Sequence, residues 1–148
     1  MILGIACDHR GYKVKEDLKK ALEDYEIVDY GTYSEELVDY PKYAFDLATA
    51  VINKEVDLGI VLCGTGIGVS IACNKVKGIR CAKIDSLAEA KSAKEHNNAN
   101  ILAFGANSHN TKEILEMINE FINSTFNTNP RYKMRIEQVE KYEETNEY

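Results

Sequence analysis

"LGIVLCGTGIGVS" occupies residues 58–70. Leu58 to Cys63 is the most strand-like run in the chain, a short apolar stretch of the kind a parallel sheet buries on both faces. Gly64, Gly66 and Gly68 then alternate with Thr65 and Ile67. A strand that turns through glycines into a helix presents backbone N–H groups to an anion, and the helix N-terminus adds partial positive charge. A tight strand-to-helix turn is the plainer reading, but three alternating glycines favour the anion site. The spacing excludes a dinucleotide fingerprint, because G-x-G-x-x-G from Gly64 would need glycine where Val69 stands, and no lysine completes a P-loop.

Outward from this stretch, strand and helix patterns alternate. Ile2 to Cys7 reads as a buried strand, and from Gly11 apolar residues take helical spacing at Val14, Leu18, Ala21, Leu22 and Tyr25. Ile27 to Tyr30 makes a second strand, followed by a polar loop through Pro41 and a helix marked by Ala44, Leu47, Ala48, Val51 and Ile52. A short helix should run from the glycines to Asn74. Arg80–Ile84 and Ile101–Phe104 read as strands, separated by a helix over Ser86–Glu95. Ile114, Leu115, Ile118, Phe121 and Ile122 stripe a long helix, a last one begins near Pro130, and the acidic end "EKYEETNEY" is expected to fray. Alternation of this kind predicts an α/β fold: a three-layer αβα sandwich on a five-stranded parallel sheet, doubly wound in the Rossmann-like or flavodoxin-like manner. No repeat or linker interrupts it, so residues 1–148 are expected to form a single domain.

Composition bounds the function. The 148 residues are 45% hydrophobic, and no apolar run approaches the roughly 20 residues of a membrane span. Met1 leads into Ile2–Cys7 with no basic flank or cleavage site, which predicts a cytoplasmic protein. The net charge of −6 argues against nucleic acid as partner but leaves room for a small anion where cations gather. Cys7, Cys63, Cys73 and Cys81 form no C-x-x-C pair and the three histidines are scattered, so neither a metal site nor disulfides are expected.

Ligands of doubly wound sheets bind beyond the carboxyl ends of the strands, where strand order reverses. "CDHRG" (7–11), "GTY" (31–33), "CGTGIG" (63–68), Asp85 and "GAN" (105–107) all follow strands and should share that edge. Cys73 and Cys81 suit the usual reading of cysteine as an inert small hydrophobe. Cys63 touches the glycine loop, where a helix N-terminus favours a thiolate. It lacks the arginine of a cysteine phosphatase, since position 69 is Val69, and the Gly-x-Cys-x-Gly elbow, since position 61 is Val61. A thiol acting as a base remains open. Asp8 and His9 read either as a solvated turn or as ligand contacts. His96 and Asn97, in "KEHNNAN" (94–100), fall at the amino end of the last strand unless the helix stops early and folds over. His96 is therefore either an exposed helix-terminal residue or a catalytic one. Arginine is scarce, and Arg131 and Arg135 share a helix face, as a solvated pair or as a phosphate clamp.

Together these pieces resemble the sugar-phosphate isomerase family of ribose-5-phosphate isomerase B and galactose-6-phosphate isomerase. The likeness rests on "CDHRG", "IVDYGTYS" (27–34), "DYPKYA" (39–44), "CGTGIGVSIACNKVKGIR" (63–80) and "EHNNANILAFG" (95–105). It implies interconversion of an aldose phosphate and a ketose phosphate through a cis-enediolate, with no metal or cofactor. It implies that Cys63 is the base, that His96 assists ring opening, and that Thr65 belongs to the catalytic loop. The amides of Gly64, Thr65, Gly66, Ile67 and Gly68 would hold the enediolate oxygens, the glycines leaving room for that approaching anion. Asp8, Tyr40 and Asn97 would contact substrate hydroxyls, and His9, Arg131 and Arg135 the phosphate. It implies a homodimer or tetramer whose site combines both subunits, with the helix from about 130 packing across the interface. Asn107 and Tyr132 depart from the family pattern, which often has an arginine and a histidine there, and Arg10 is placed to restore the missing cation.

The resemblance leads to ribose 5-phosphate and ribulose 5-phosphate, in the pentose phosphate pathway. The alternatives are a six-carbon isomerase, acting on galactose or allose 6-phosphate, and a non-catalytic phospholigand-binding module in which Cys63 is incidental.

Overall fold

A computed structural model describes residues 1–148. Its strands are β1 (Ile2–Cys7), β2 (Glu26–Asp29), β3 (Leu58–Cys63), β4 (Cys81–Lys83) and β5 (Ile101–Gly105). Between and after them run α1 (Tyr12–Ala21), α2 (Tyr40–Ile52), α3 (Ile67–Cys73), α4 (Leu87–Glu95), α5 (Thr111–Asn123) and α6 (Pro130–Thr145). All strand pairs are parallel, in the order β2-β1-β3-β5-β4.

Handedness sorts the helices. The chain steps one way from β1 to β2, then the other way to β3 and β4, and turns back to β5. Right-handed crossovers then place α1 and α4 on one face and α2 and α3 on the other. The core follows that division. Leu18, Ala90, Ala93, Ile114 and Phe121 pack with Ile5, Ile60 and Leu62, whereas Leu47, Val51 and Val69 pack with Ala6, Val61, Ile101 and Ala103. Successive residues of β3 alternate between the two clusters, and all six are buried. That is why the central strand reads as an unbroken apolar run.

The predicted α/β class, five-stranded parallel sheet and three layers are present. A flavodoxin-like sheet would end 3-4-5, but here β5 lies between β3 and β4. The loop after β3 then lies close against the end of β5, where a Cβ on Gly105 would stand 2.7 Å from the carbonyl oxygen of Thr65. The acidic end does not fray from residue 140. Helix α6 continues to Thr145, with Glu140 bonded to Arg80 (3.2 Å) and Glu143 to the N–H of Gly78 (2.9 Å). Pro41 lies not in the loop but in the first turn of α2, where its missing N–H costs nothing.

One buried charge fixes the loop after β2. Lys15 is fully buried, donates to both carboxylate oxygens of Asp29 at 2.6 Å, and lies between the rings of Tyr12 and Tyr33. Asp29 also takes the N–H of Gly31 at 2.8 Å. Burial alone would raise its carboxyl pKa, but hydrogen bonds from Lys15 and Lys19 outweigh that, and the carboxyl is held below its ordinary value. No helix is long and apolar enough to cross a membrane.

Candidate active site

Strand order reverses between β1 and β3, and a cleft of about 420 Å³ opens at their carboxyl ends. Asp8, Arg10, Tyr40, Cys63, Gly64, Thr65, Gly68 and Asn107 line it. Asp8 is buried and turned toward its own loop, its Oδ1 accepting the N–H groups of Arg10 (2.9 Å) and Gly11 (3.3 Å). The loop after β5 closes the side, through Ala106 N–H to Cys63 C=O and Asn107 N–H to Gly64 C=O, both 2.9 Å. The insertion of β5 beside β3 makes those two bonds possible.

Cys63 is 6% exposed, and its sulfur accepts the N–H of Gly66 at 3.1 Å. Ile67 N–H goes to Thr65 Oγ1 at 3.1 Å. The N–H groups of Gly64, Thr65 and Gly68 find no acceptor in the chain. Of the five amides expected to face an anion, two are thus committed within the loop and three are open beside the thiol. The other cysteines do not line the cleft. Burial pushes Cys7 up to about 12, and Cys73 is raised by its hydrogen bond with Cys81 and by burial. Cys81 is half-buried rather than part of the core.

The glycines make room for the protein itself. A Cβ on Gly64 would stand 2.8 Å from both Arg10 Cδ and Asn107 Nδ2. On Gly66, at φ +78°, it would lie 2.9 Å from the backbone carbon of Phe104. On Gly68 it would lie 2.8 Å from Cζ of Tyr40. The protein's own packing therefore demands these glycines, whatever approaches the loop.

All five sequence-predicted segments follow strands, but only "CDHRG", "CGTGIG" and "GAN" line the cleft. "GTY" is tied down by Thr32 N–H to Cys7 C=O, and Asp85 faces His109 at 3.0 Å, away from the cleft. His9 stands aside, its Nδ1 against the backbone of Val38 (3.2 and 3.3 Å). His96 and Asn97 line a separate cavity of about 690 Å³ with Arg80, Cys81, Tyr132 and Arg135. It lies at the amino ends of β4 and β5, so the length of β5, about 16 Å at 3.3 Å per residue, separates it from the Cys63 cleft. No single chain brings Cys63 and His96 together.

In that second cavity His96 stacks on Tyr132 with centroids 4.7 Å apart and planes 3° apart. Arg131 and Arg135 lie 4.9 and 5.9 Å from the same ring centroid, and Arg131 bonds the Tyr132 hydroxyl at 3.0 Å. Neither arginine has a carboxylate partner. The four arginines of the chain divide between the two sites, Arg10 at one and Arg80, Arg131 and Arg135 at the other. Sequence reasoning passed over Arg80, and that scarcity was the signal that could have found it. No three His, Cys, Asp or Glu side chains cluster as metal ligands.

The fold is a doubly wound α/β sheet, and the thiol among open amides lies at its switch point, where sheets of this class bind their ligands. The family model described as "Ribose/Galactose Isomerase" matches residues 3–139, and the chain belongs to that family of sugar-phosphate isomerases. It is 41% identical to the Bacillus subtilis protein named "Putative sugar phosphate isomerase YwlF", over 99% of each chain. It is 35% identical to Escherichia coli ribose-5-phosphate isomerase B, over 96% of each. The solved structure of the Clostridium thermocellum ribose-5-phosphate isomerase B matches with TM-score 0.95 and 38% identity, covering 99% of this chain and 100% of that one. That of the Mycoplasma genitalium enzyme with bound ribulose-5-phosphate matches with TM-score 0.91 and 35% identity, over 97% of each.

Proposed function

We propose that the protein interconverts ribose 5-phosphate and ribulose 5-phosphate. The observation that carries this reading is the Cys63 sulfur beside the open amides of Gly64, Thr65 and Gly68. In the open-chain aldose, the thiolate of Cys63 takes the proton from C2, and the electron pair forms the C1–C2 double bond of a cis-enediolate. The charge that develops on the oxygens is held by the three amides, and donors of this type each contribute roughly 3 to 4 kcal/mol at a transition state. The O2 hydroxyl proton moves to O1, the C2 carbonyl forms, and return of the carbon proton from the Cys63 thiol to C1 completes the ketose. Asp8, Tyr40 and Thr65 bound the same cleft and meet the sugar hydroxyls. The Mycoplasma genitalium relative, with its bound ribulose-5-phosphate, supports the five-carbon substrate.

The second half of the site comes from a second copy. One chain has the base and the amides, and at its other end it has His96, Asn97 and the cations Arg131 and Arg135. Ile67 and Ile71, four residues apart on α3 beside the cleft, are both more than half exposed, and so are Met134 and Val139 on α6, the helix that walls the His96 cavity. A two-fold dimer that covers these apolar surfaces and carries α6 across would bring His96 of one copy to Cys63 of the other. The phosphate then meets Arg131 and Arg135, with Arg10 as the cation of the cleft itself, and His96 promotes ring opening.

The test is complementation. Cys63→Ala and His96→Asn proteins, the first inactive on the aldose and the second much slowed, are dissociated, mixed and reassociated. Mixed dimers hold one intact site, so statistical mixing restores about a quarter of wild-type activity. No recovery from chains that do exchange would refute the shared site. A coupled assay on ribose, galactose and allose phosphates decides the substrate, and comparable rates on all three would refute the five-carbon assignment.

A further inference from the structure

The two walls of the His96 cavity are joined by one side chain. Arg80 precedes β4, and its backbone is fixed on both sides. Its N–H donates to Asn100 Oδ1 (2.8 Å), and its carbonyl accepts from the N–H groups of Asn100 (3.0 Å) and Ile101 (3.4 Å). From that anchor each guanidinium nitrogen reaches a different partner. Nε donates to the carbonyl of Asn97 (3.1 Å), Nη2 to that of Asn98 (2.9 Å), and Nη1 to Glu140 of α6 (3.2 Å).

The two carbonyls belong to the turn that ends α4, directly after His96. Asn98 stands there at φ +43°, its N–H on the carbonyl of Lys94. Carbonyls at a helix C-terminus carry unsatisfied negative charge, so a cation suits them. Glu140 lies two turns beyond Tyr132, the residue whose ring stacks on His96. The guanidinium therefore sets both the height of the turn that bears His96 and Asn97 and the placement of the helix that bears the stacking ring. Arg131 and Arg135 have no acidic partner, whereas all three nitrogens of Arg80 are engaged by its own chain.

We propose that Arg80 is a positioning residue, which holds His96 against Tyr132 and so prepares the imidazole for ring opening. The second part rests on the role proposed above for His96. Lysine cannot replace it, because a point ammonium does not span two carbonyls and a carboxylate as a planar fork does.

The experiment compares Arg80→Lys with wild type by two readouts. The first needs no substrate. The imidazole resonances of His96, assigned with His96→Asn, carry a ring-current shift from Tyr132, and Tyr132→Leu marks where they lie without it. Arg80→Lys should move them toward that unstacked position. The second is kinetic. Turnover of ribose 5-phosphate should fall ~10- to 100-fold from the misplacement, while deuterium wash-in at C1 of ribulose 5-phosphate, which starts from an open chain, is retained. Arg80→Lys combined with His96→Asn should lose no more than His96→Asn alone. His96 resonances at the wild-type position in Arg80→Lys overturn the proposal, and so does equal loss of turnover and wash-in. If wild-type protein turns over no sugar phosphate, the functional reading fails while the resonances still decide the positioning of His96. Should Arg80→Lys not fold, Glu140→Gln, which weakens the tether to α6 and leaves the turn carbonyls bonded, is read in the same two ways. Unmoved His96 resonances there overturn the proposal equally.

Discussion

Gly66 and Gly68 differ in what fills the space of their missing side chain, and alanine at each should separate stability from activity. At Gly66 the backbone is left-handed, φ +78°, and a Cβ would meet main-chain atoms of Phe104 and Gly105 at 2.9 and 3.0 Å. The left-handed conformation costs a non-glycine residue roughly 1 to 2 kcal/mol, and overpacking against backbone that cannot rotate away adds about 1 to 3 kcal/mol. The loss of about 2 to 5 kcal/mol is a large share of the 5 to 15 kcal/mol of a typical domain. At ~2 to 4 °C per kcal/mol for a chain of this size, the melting midpoint should fall by roughly 10 °C. At Gly68 the backbone is helical and the obstruction is the ring of Tyr40, a 36% exposed side chain that can swing aside. Alanine also stiffens the unfolded chain, a gain of about 0.4 to 1 kcal/mol, so Gly68→Ala should unfold within about 1 kcal/mol of wild type. It displaces Tyr40 from the cleft, however, and turnover should suffer. Urea and thermal unfolding of both variants, with turnover measured on each, make the comparison. A Gly66→Ala protein as stable as wild type, or a Gly68→Ala protein as damaged as Gly66→Ala, would refute the reasoning from Cβ contacts.

Other perturbations address the chemistry and the charges. Cys63→Ala should fold normally, bind the sugar phosphate and lose turnover, and retention of more than about a tenth of kcat, under ~1.4 kcal/mol of barrier, removes it from the role of base. Replacing Arg131 and Arg135 together with alanine should raise KM and leave kcat nearly intact, since the phosphate is remote from the reacting carbons; a steep fall in kcat at constant KM would refute the clamp. Asp29 has its carboxyl held below 3.8, so its contribution to stability is present above that value and is lost as pH falls through the lower folded one. Asp29→Asn should therefore be less stable than wild type at pH 7, with the gap in urea midpoint shrinking toward pH 3, and a constant gap would show that the carboxylate's charge is not what stabilises.

Periodicity made most of the fold legible, because a strand buried on both faces and a helix striped on one leave different spacings in the chain. The order of the last two strands was not legible. Both β4 and β5 are short apolar runs, and nothing in their spacing says which of them pairs with β3. The same limit hid Arg80. Its partners are two backbone carbonyls 17 and 18 residues away and a glutamate 60 residues away, so only the scarcity of arginine in the chain marks it. The position of His96 was half legible, since "KEHNNAN" precedes the last strand and so belongs at its amino end, opposite Cys63. Local reasoning then set a catalytic histidine against an exposed helix end. Tyr132 makes that choice a false one: His96 caps the C-terminus of a helix and is also held flat against a buried ring from another helix. An imidazole stacked at 3° and 4.7 Å has a defined plane, and Arg80 and Glu140 fix the two elements whose approach defines it. A histidine that was only a solvated helix end would need neither constraint.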